Sequence, residues 1–175
     1  PDNYVKLRFL ENHDQSRAHF LIHDEAALRN WTAFNYFQKG LTLIYNGQEY
    51  ARAHLPGLFD KDTVIWSPED GIDLRDLMGK LAEIKKNPLF ADSTYTVNAE
   101  NGAMIAEHSI GARPVTDKDG IWKRALGIFS ADGKSVCVNV PCEDGIYRNL
   151  IDGRDVEIFH GMMRTEKEPV IIAFE

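Results

Sequence analysis

The stretch Phe9-Leu10-Glu11-Asn12-His13-Asp14, followed shortly by Arg17, is the part of this sequence that decides its interpretation. It completes an apolar segment, residues 5–10, that has the length and composition of a β-strand. An amide, an imidazole, a carboxylate and a guanidinium therefore stand where a strand gives way to a loop. Functional side chains are concentrated in such loops, so these residues are candidates for a site.

A helix and a second strand are predicted directly after this loop. Asp24 is a suitable N-cap, and Gly40 ends the helical pattern. Four apolar residues lie at helical spacing between them: Leu28, Trp31, Phe34 and Phe37. Residues 41–45 are again an apolar run of strand length. The order strand–helix–strand favours a parallel pair of strands.

The rest of the chain divides into one further helix and a region of short strands. Asp73 is expected to cap a second helix, which Asn87-Pro88 ends. That helix has one stripe of apolar residues: Leu74, Leu77, Met78, Leu81 and Ile84. Seven β-rich runs come after it, at residues 95–97, 104–108, 125–130, 135–140, 146–150, 156–159 and 170–174. Asp-Gly pairs at 119–120, 132–133, 144–145 and 152–153 favour hairpin turns. This region is predicted to be an antiparallel β-sandwich.

Three segments of the first half resemble the α-amylase family of glycoside hydrolases. Asn12-His13-Asp14 is similar to the run that ends the family's seventh barrel strand. Residues 40–49 resemble its eighth-strand segment, which ends in Tyr-x-Gly-x-Glu, although Thr42 stands where many members carry proline. Leu58-Phe59-Asp60-Lys61-Asp62 with Trp66 resembles the family's sequence after that strand. One short motif would be weak, but three in the right order and spacing are a strong signal.

The resemblance implies a fold of class α/β plus all-β, in two domains. Residues 1–87 would be part of a TIM-type (β/α)8 barrel, namely strands seven and eight with their helices. Residues 88–175 would be the antiparallel sandwich that comes after the barrel in the family. In such barrels the loops after the strands carry the chemistry.

The resemblance also implies a role for each candidate residue. Asp14 would bind sugar hydroxyls through charge-assisted hydrogen bonds and stabilise the transition state of a retaining glycosidase. His13 would donate to a neighbouring hydroxyl, and Asn12 and Arg17 would bind substrate or position the loop. Judged from the residues alone, Asp14 could instead cap a turn, and Arg17 could pair with Asp14 or Glu11.

The same resemblance sets the expected activity. The family's nucleophilic Asp and general-acid Glu lie on earlier strands, which precede this sequence. We therefore expect the chain to be the C-terminal part of a longer enzyme that acts on α-glucosidic bonds of starch-like or maltooligosaccharide substrates, and to be inactive alone. Alternatives are a transglucosidase or isomerase of the trehalose or sucrose type. A non-catalytic carbohydrate-binding or structural sandwich is another, which an exposed face with Tyr95, Trp122 and Tyr147 would support.

Composition limits the partners. The net charge of −7 argues against nucleic acid, and no apolar run is long enough to cross a membrane. Cys137 and Cys142 are expected to be free thiols. No cofactor or metal site is predicted, because His19 and His23 lack a third ligand, although the resemblance allows calcium in the parent enzyme. Localisation is not predicted, since a targeting signal would precede these residues.

Self-association is expected from the incomplete barrel. Two parallel strands cannot bury both of their faces, so residues 5–10 and 41–45 should leave apolar faces and open edges exposed. Another copy of the chain is then a natural partner for them.

Overall fold

The computed structural model describes residues 5–111 and 122–174. Two short strands and four α-helices come first among these residues: β1 (Leu7–Arg8), α1 (Ala18–Leu21), α2 (Glu25–Phe37), β2 (Leu41–Thr42), α3 (Arg75–Lys85) and α4 (Leu89–Asp92). A 3-10 helix, Gln48–Tyr50, lies between β2 and α3, and the N-cap of α3 is Leu74 instead of the expected Asp73. Eight strands come next within the described residues: β3 (Thr94–Glu100), β4 (Ala103–Ser109), β5 (Arg124–Ser130), β6 (Val136–Asn139), β7 (Gly145–Arg148), β8 (Asp155–Phe159), β9 (Met162–Thr165) and β10 (Val170–Phe174).

The first two strands pair in parallel across the intervening helices, as the strand–helix–strand order predicts. Leu7 lies opposite Leu41, and Arg8 lies opposite Thr42. Helix α2 begins where expected, because the Asp24 carboxylate accepts a hydrogen bond of 2.8 Å from the Ala27 amide. The strands are shorter than the apolar runs suggested, because only two residues of each find a partner on the neighbouring strand.

The predicted antiparallel sandwich is confirmed. One sheet has the strand order β10-β5-β4-β3 and the other has the order β6-β9-β8-β7. All seven predicted runs coincide with strands. The eighth strand, β9, was not predicted, and Pro88 is followed by the one-turn helix α4 where helical structure was expected to stop.

The tight hairpins lie at turns that the Asp-Gly pairs did not mark. Asn101-Gly102 joins β3 to β4, and His160-Gly161 joins β8 to β9, with φ positive at all four residues as type I′ turns require. Of the predicted pairs, residues 152–153 join β7 to β8. Residues 132–133 lie on the connection between the two sheets, and residues 144–145 lie at the start of β7, at the far edge of its sheet from β6. Residues 119–120 lie outside the described residues.

Helix α2 covers the outer face of the first sheet. Six of the seven residues of β5 are buried, because one face points to the other sheet and the other face points to α2. Phe129 packs its ring 5.5 Å from that of Phe37, centroid to centroid. Polar contacts fix the same interface: the Ser130 amide donates to Asn30 Oδ1 at 2.8 Å, and Trp31 Nε1 donates to the Ala131 carbonyl at 3.0 Å.

The leading strands contrast with this sheet in leaving apolar side chains in solvent. Leu7 is 54% exposed and Leu41 is 63% exposed. This agrees with the expected exposed faces, while self-association itself stays a prediction. No helix in residues 5–111 or 122–174 has both the length and the apolar character needed to cross a bilayer. Both cysteines are free thiols, as predicted.

Candidate functional site

Two loops meet at one edge of the parallel pair. The first loop, residues 11–17, comes after β1, and the second loop, residues 45–53, comes after β2. Because parallel strands bring their carboxyl ends to the same edge, the two loops are neighbours. Arg17 joins them directly, since its guanidinium contacts carbonyl groups of the second loop.

Asp14 and His13 project from the first loop into solvent. Their side chains are 63% and 62% exposed, and His13 Nε2 lies 3.3 Å from Asp14 Oδ2. The Asn12 side chain accepts a hydrogen bond of 2.8 Å from the Asp14 amide and so forms an Asx turn that fixes the backbone of Asp14. Asp14 does not cap the next helix, whose N-cap is Arg17. The carboxylate is therefore open to solvent, with His13 as its neighbour.

Arg17 pairs with Glu11, one of the two partners predicted for it. Its side chain is fully buried, and Nε lies 3.0 Å from Glu11 Oε1. Both terminal nitrogens donate to the Asn46 carbonyl, at 3.1 and 3.0 Å, and Nε donates to the Arg52 carbonyl at 3.1 Å. The guanidinium also lies over the Tyr45 ring, 4.8 Å from its centroid. These contacts engage the guanidinium inside the protein, and the binding of substrate by Arg17 stays a prediction.

Glu11 is the buried partner of this arginine. It is 1% exposed, and its Oε2 accepts a hydrogen bond of 2.5 Å from the Ala18 amide. Burial raises the pKa of this carboxyl above its ordinary value, against the opposing effects of the Ala18 amide and the Arg17 charge. The Glu49 carboxylate raises the same pKa further.

His19 lies on α1 and is buried, whereas His23 lies just after that helix and is exposed. His19 Nδ1 lies 2.5 Å from the Ala51 carbonyl, and the rings of His19 and His23 meet edge-on at 6.4 Å. No group of three histidine, cysteine or carboxylate side chains suited to a metal ion occurs in the described part of the chain.

After the second loop, a contact between His54 and Asp62 that was not predicted joins the two ends of residues 54–62. His54 Nε2 lies 2.7 Å from Asp62 Oδ2, and the Gly57 amide donates to the same oxygen at 2.9 Å. The Gly57 amide and then His54 lower the pKa of the Asp62 carboxyl. Between these residues, Phe59 stands almost fully exposed at the tip.

The three aromatic residues proposed as a carbohydrate platform do not form one. Tyr95 lies with its ring 4.7 Å from that of His108, and Trp122 packs against the same core. Tyr147 belongs to the other core, between the sheets, where its ring meets Phe174 at 5.4 Å. All three are half-buried and share no exposed face, so this expected support for a binding module is absent.

Comparisons with known proteins agree with this arrangement. Residues 94–172 match the family model of the bacterial α-amylase C-terminal domain. The whole chain is similar to the crystal structure of an α-amylase from Lactobacillus plantarum, with a TM-score of 0.84 and 31% sequence identity. That match covers 100% of this chain and 39% of the other. The family recognised here is that of the α-amylases, since residues 94–172 match its C-terminal domain and the whole chain is similar to a member. The chain's leading strands and its sandwich are both included in the similarity.

Other members of the α-amylase family match more distantly. α-Amylase 2 of Schwanniomyces occidentalis is 28% identical over 133 residues, which are 73% of this chain and 24% of that protein. The chain thus spans about a quarter of the length of its curated relatives. A maltogenic α-amylase from Thermotoga neapolitana shares the fold, with a TM-score of 0.77 and 23% identity over 99% of this chain and 42% of the other.

Glu11 was predicted only as a possible partner of Arg17, and its burial was not predicted. The available signal was an acidic residue directly after the apolar Leu10, with an arginine six positions later. Charged residues that extend an apolar strand are seldom buried unless they are paired. A buried ion pair with Arg17 was therefore one of the few ways to accommodate Glu11.

Proposed function

We propose that this chain is the C-terminal part of an α-amylase-family glycosidase that cleaves α-glucosidic bonds of starch-like or maltooligosaccharide substrates. Strands β1 and β2 would be strands seven and eight of the catalytic barrel, with residues 1–87 in the barrel and residues 88–175 in the sandwich. The observation that carries the proposal is the exposed Asp14 in the loop after β1, within a similarity to an α-amylase that covers the whole chain.

Asp14 would stabilise the transition state. Positive charge develops near the anomeric carbon as the glycosidic bond breaks, and the sugar ring flattens. A carboxylate that accepts hydrogen bonds from two ring hydroxyls binds this state more tightly than the ground state, which raises kcat. His13, 3.3 Å from Asp14, would donate to an adjacent hydroxyl. Asn12 and Arg17 would hold the loop that presents both residues.

The chain by itself should not cleave glycosides. Retaining hydrolysis needs a nucleophile and a general acid about 5–5.5 Å apart. In the proposal both come from the part of the enzyme that precedes these residues. The purified 175-residue chain should therefore release no reducing sugar from starch. Release of sugar by this chain alone would contradict the proposed division of roles.

Substitution of Asp14 in the full-length enzyme tests the function. We expect Asp14→Asn to lower kcat/KM on maltoheptaose at least about 100-fold, because several kcal/mol of transition-state binding are lost. Asp155→Asn is the matched control, since Asp155 is an exposed carboxylate on β8, in the sandwich. Activity of Asp14→Asn within tenfold of the wild type would refute the assignment. Product analysis separates hydrolysis from glucosyl transfer, since a transglucosidase would yield longer oligosaccharides.

A further inference from the structure

We propose that Glu11 is a positioning residue for Asp14, and that Glu11 and Arg17 form a buried clasp that holds the first and second loops together. The inference deepens the proposed function and rests on it. It assigns a role to a buried carboxylate that the chemistry of glycoside cleavage does not itself require.

The clasp closes the first loop at its base. Glu11 contacts Ala18 through one carboxylate oxygen and Arg17 through the other, at 2.5 and 3.0 Å. Residues at the two ends of the loop are thus tied to one side chain. Asn12 adds an inner turn by accepting the Asp14 amide at 2.8 Å. Asp14 is exposed at the tip, yet its backbone is fixed by both sets of contacts.

The clasp also fixes the first loop to the second. Arg17 donates to the Asn46 carbonyl and to the Arg52 carbonyl while its plane lies over Tyr45. Arginine suits this task because its planar guanidinium has five donors in a fixed geometry, whereas a lysine ammonium is a point charge on a flexible stem. Glu11 supplies the negative charge that the buried guanidinium requires.

Stability alone does not account for this pair. Moving two charges out of water costs several kcal/mol per ion, and apolar residues of similar size often stabilise a protein equally well or better. The raised pKa of Glu11 reflects this cost. What the pair provides is a unique geometry for two loops, one of which presents Asp14. A displacement of about 1 Å at a reacting group can cost about 100-fold in rate.

Hydrogen exchange on the 175-residue chain tests the clasp without reference to activity. Glu11→Gln should speed amide exchange in both residues 11–18 and residues 45–53. The control is Glu107→Gln, which breaks another carboxylate–arginine pair, Glu107–Arg124 at 2.7 Å between β4 and β5. This control should leave both loops unchanged. Faster exchange in residues 11–18 alone would overturn the clasp, because the two loops would then be independent.

A second, more conservative substitution keeps the test informative if Glu11→Gln does not fold. Arg17→Lys keeps the charge opposite Glu11 but cannot hold Asn46 and Arg52 at the same time. It should melt close to the wild-type temperature while exchange rises in residues 45–53. Unchanged exchange there would overturn the proposal even if Glu11→Gln failed to fold.

Kinetics of the full-length enzyme test the link to Asp14. Glu11→Gln and Arg17→Lys should each lower kcat on maltoheptaose about 10- to 100-fold, with KM within about threefold, since alignment is lost and not binding. In the Asp14→Asn background, Glu11→Gln should add almost no further loss, because both changes remove the same interaction. A kcat within twofold of the wild type, or fully additive losses, would overturn the proposal. An inactive wild-type enzyme would refute the proposed function instead, and the exchange experiment would still decide the clasp.

Discussion

The two leading strands and the first sheet of the sandwich are built from similar apolar sequence, yet they are packed very differently. Strand β5 is buried on both faces, between the second sheet and helix α2. Among the described residues, strands β1 and β2 pair only with each other, and Leu7 and Leu41 are more than half exposed. An apolar run thus indicates how much burial a strand needs, but it does not say which element supplies that burial.

The largest expected difference in stability between the two regions is at a buried aromatic residue of the first sheet. Phe129 is fully buried and packs against Phe34 and Phe37, so Phe129→Ala should lower the free energy of unfolding by about 3–5 kcal/mol. Leu41→Ala should cost less than about 0.5 kcal/mol, because that side chain is mostly in solvent. Urea titrations of both variants measure the difference. A Leu41→Ala cost similar to that of Phe129→Ala would mean that β2 is covered in solution.

A buried histidine should make the interface between α2 and the first sheet sensitive to acid. His108 Nε2 lies 2.7 Å from the Phe37 carbonyl, and Nδ1 lies 2.6 Å from Ser93 Oγ. Burial lowers the pKa of His108 to about 4, opposed by the Phe37 carbonyl and assisted by the charges of Lys85 and Lys39. Below about pH 6.5 the unfolded chain therefore binds a proton that the folded chain does not.

Stability should consequently fall as the pH drops from about 6.5 to about 4, by about 2–3 kcal/mol from this residue. Urea titrations across this range measure the slope. His108→Gln should flatten it, while His23→Gln, which changes an exposed histidine, should leave it as in the wild type. Equal slopes for the wild type and His108→Gln would contradict the assignment.

The smallest effect on folding is expected at the exposed strands, where the effect on association should be clear. We expect the chain to self-associate through β1 and β2, so its weight-average mass should rise with concentration in sedimentation equilibrium. The double variant Leu7→Lys/Leu41→Lys should remain monomeric and unfold within about 0.5 kcal/mol of the wild type. A wild-type chain that stays monomeric at all concentrations would show that these edges are not used.

The features that sequence predicted best are those set by local chemistry. Asp24 caps its helix, the alternation of short strands gives a sandwich, and the Asn12-His13-Asp14 run lies in a loop after a strand. Each depends on a few neighbouring residues. The type I′ turn at His160-Gly161 and the strand β9 after it were missed, because histidine is not among the residues that usually mark such a turn.

The features that sequence did not reveal depend on contacts distant along the chain. The partners of Arg17 at Asn46 and Arg52 are about thirty residues away, and no local pattern identifies them. The half-buried positions of Tyr95 and Tyr147 likewise depend on which sheet face each strand presents to its neighbours. Sequence was enough to propose Asn12, His13 and Asp14 as site residues, whereas the contacts of Arg17 with the second loop became visible only in the structure.

The placement of α2 across the first sheet has a practical consequence for protein engineering. A chimera that grafted residues 94–174 onto another enzyme would strip Phe37, Asn30 and Trp31 from their places on β5 and the turn after it. The transferred domain would expose the apolar outer face of its first sheet and should aggregate. A stable chimera would have to include α2 or contain an equivalent helix from the other enzyme.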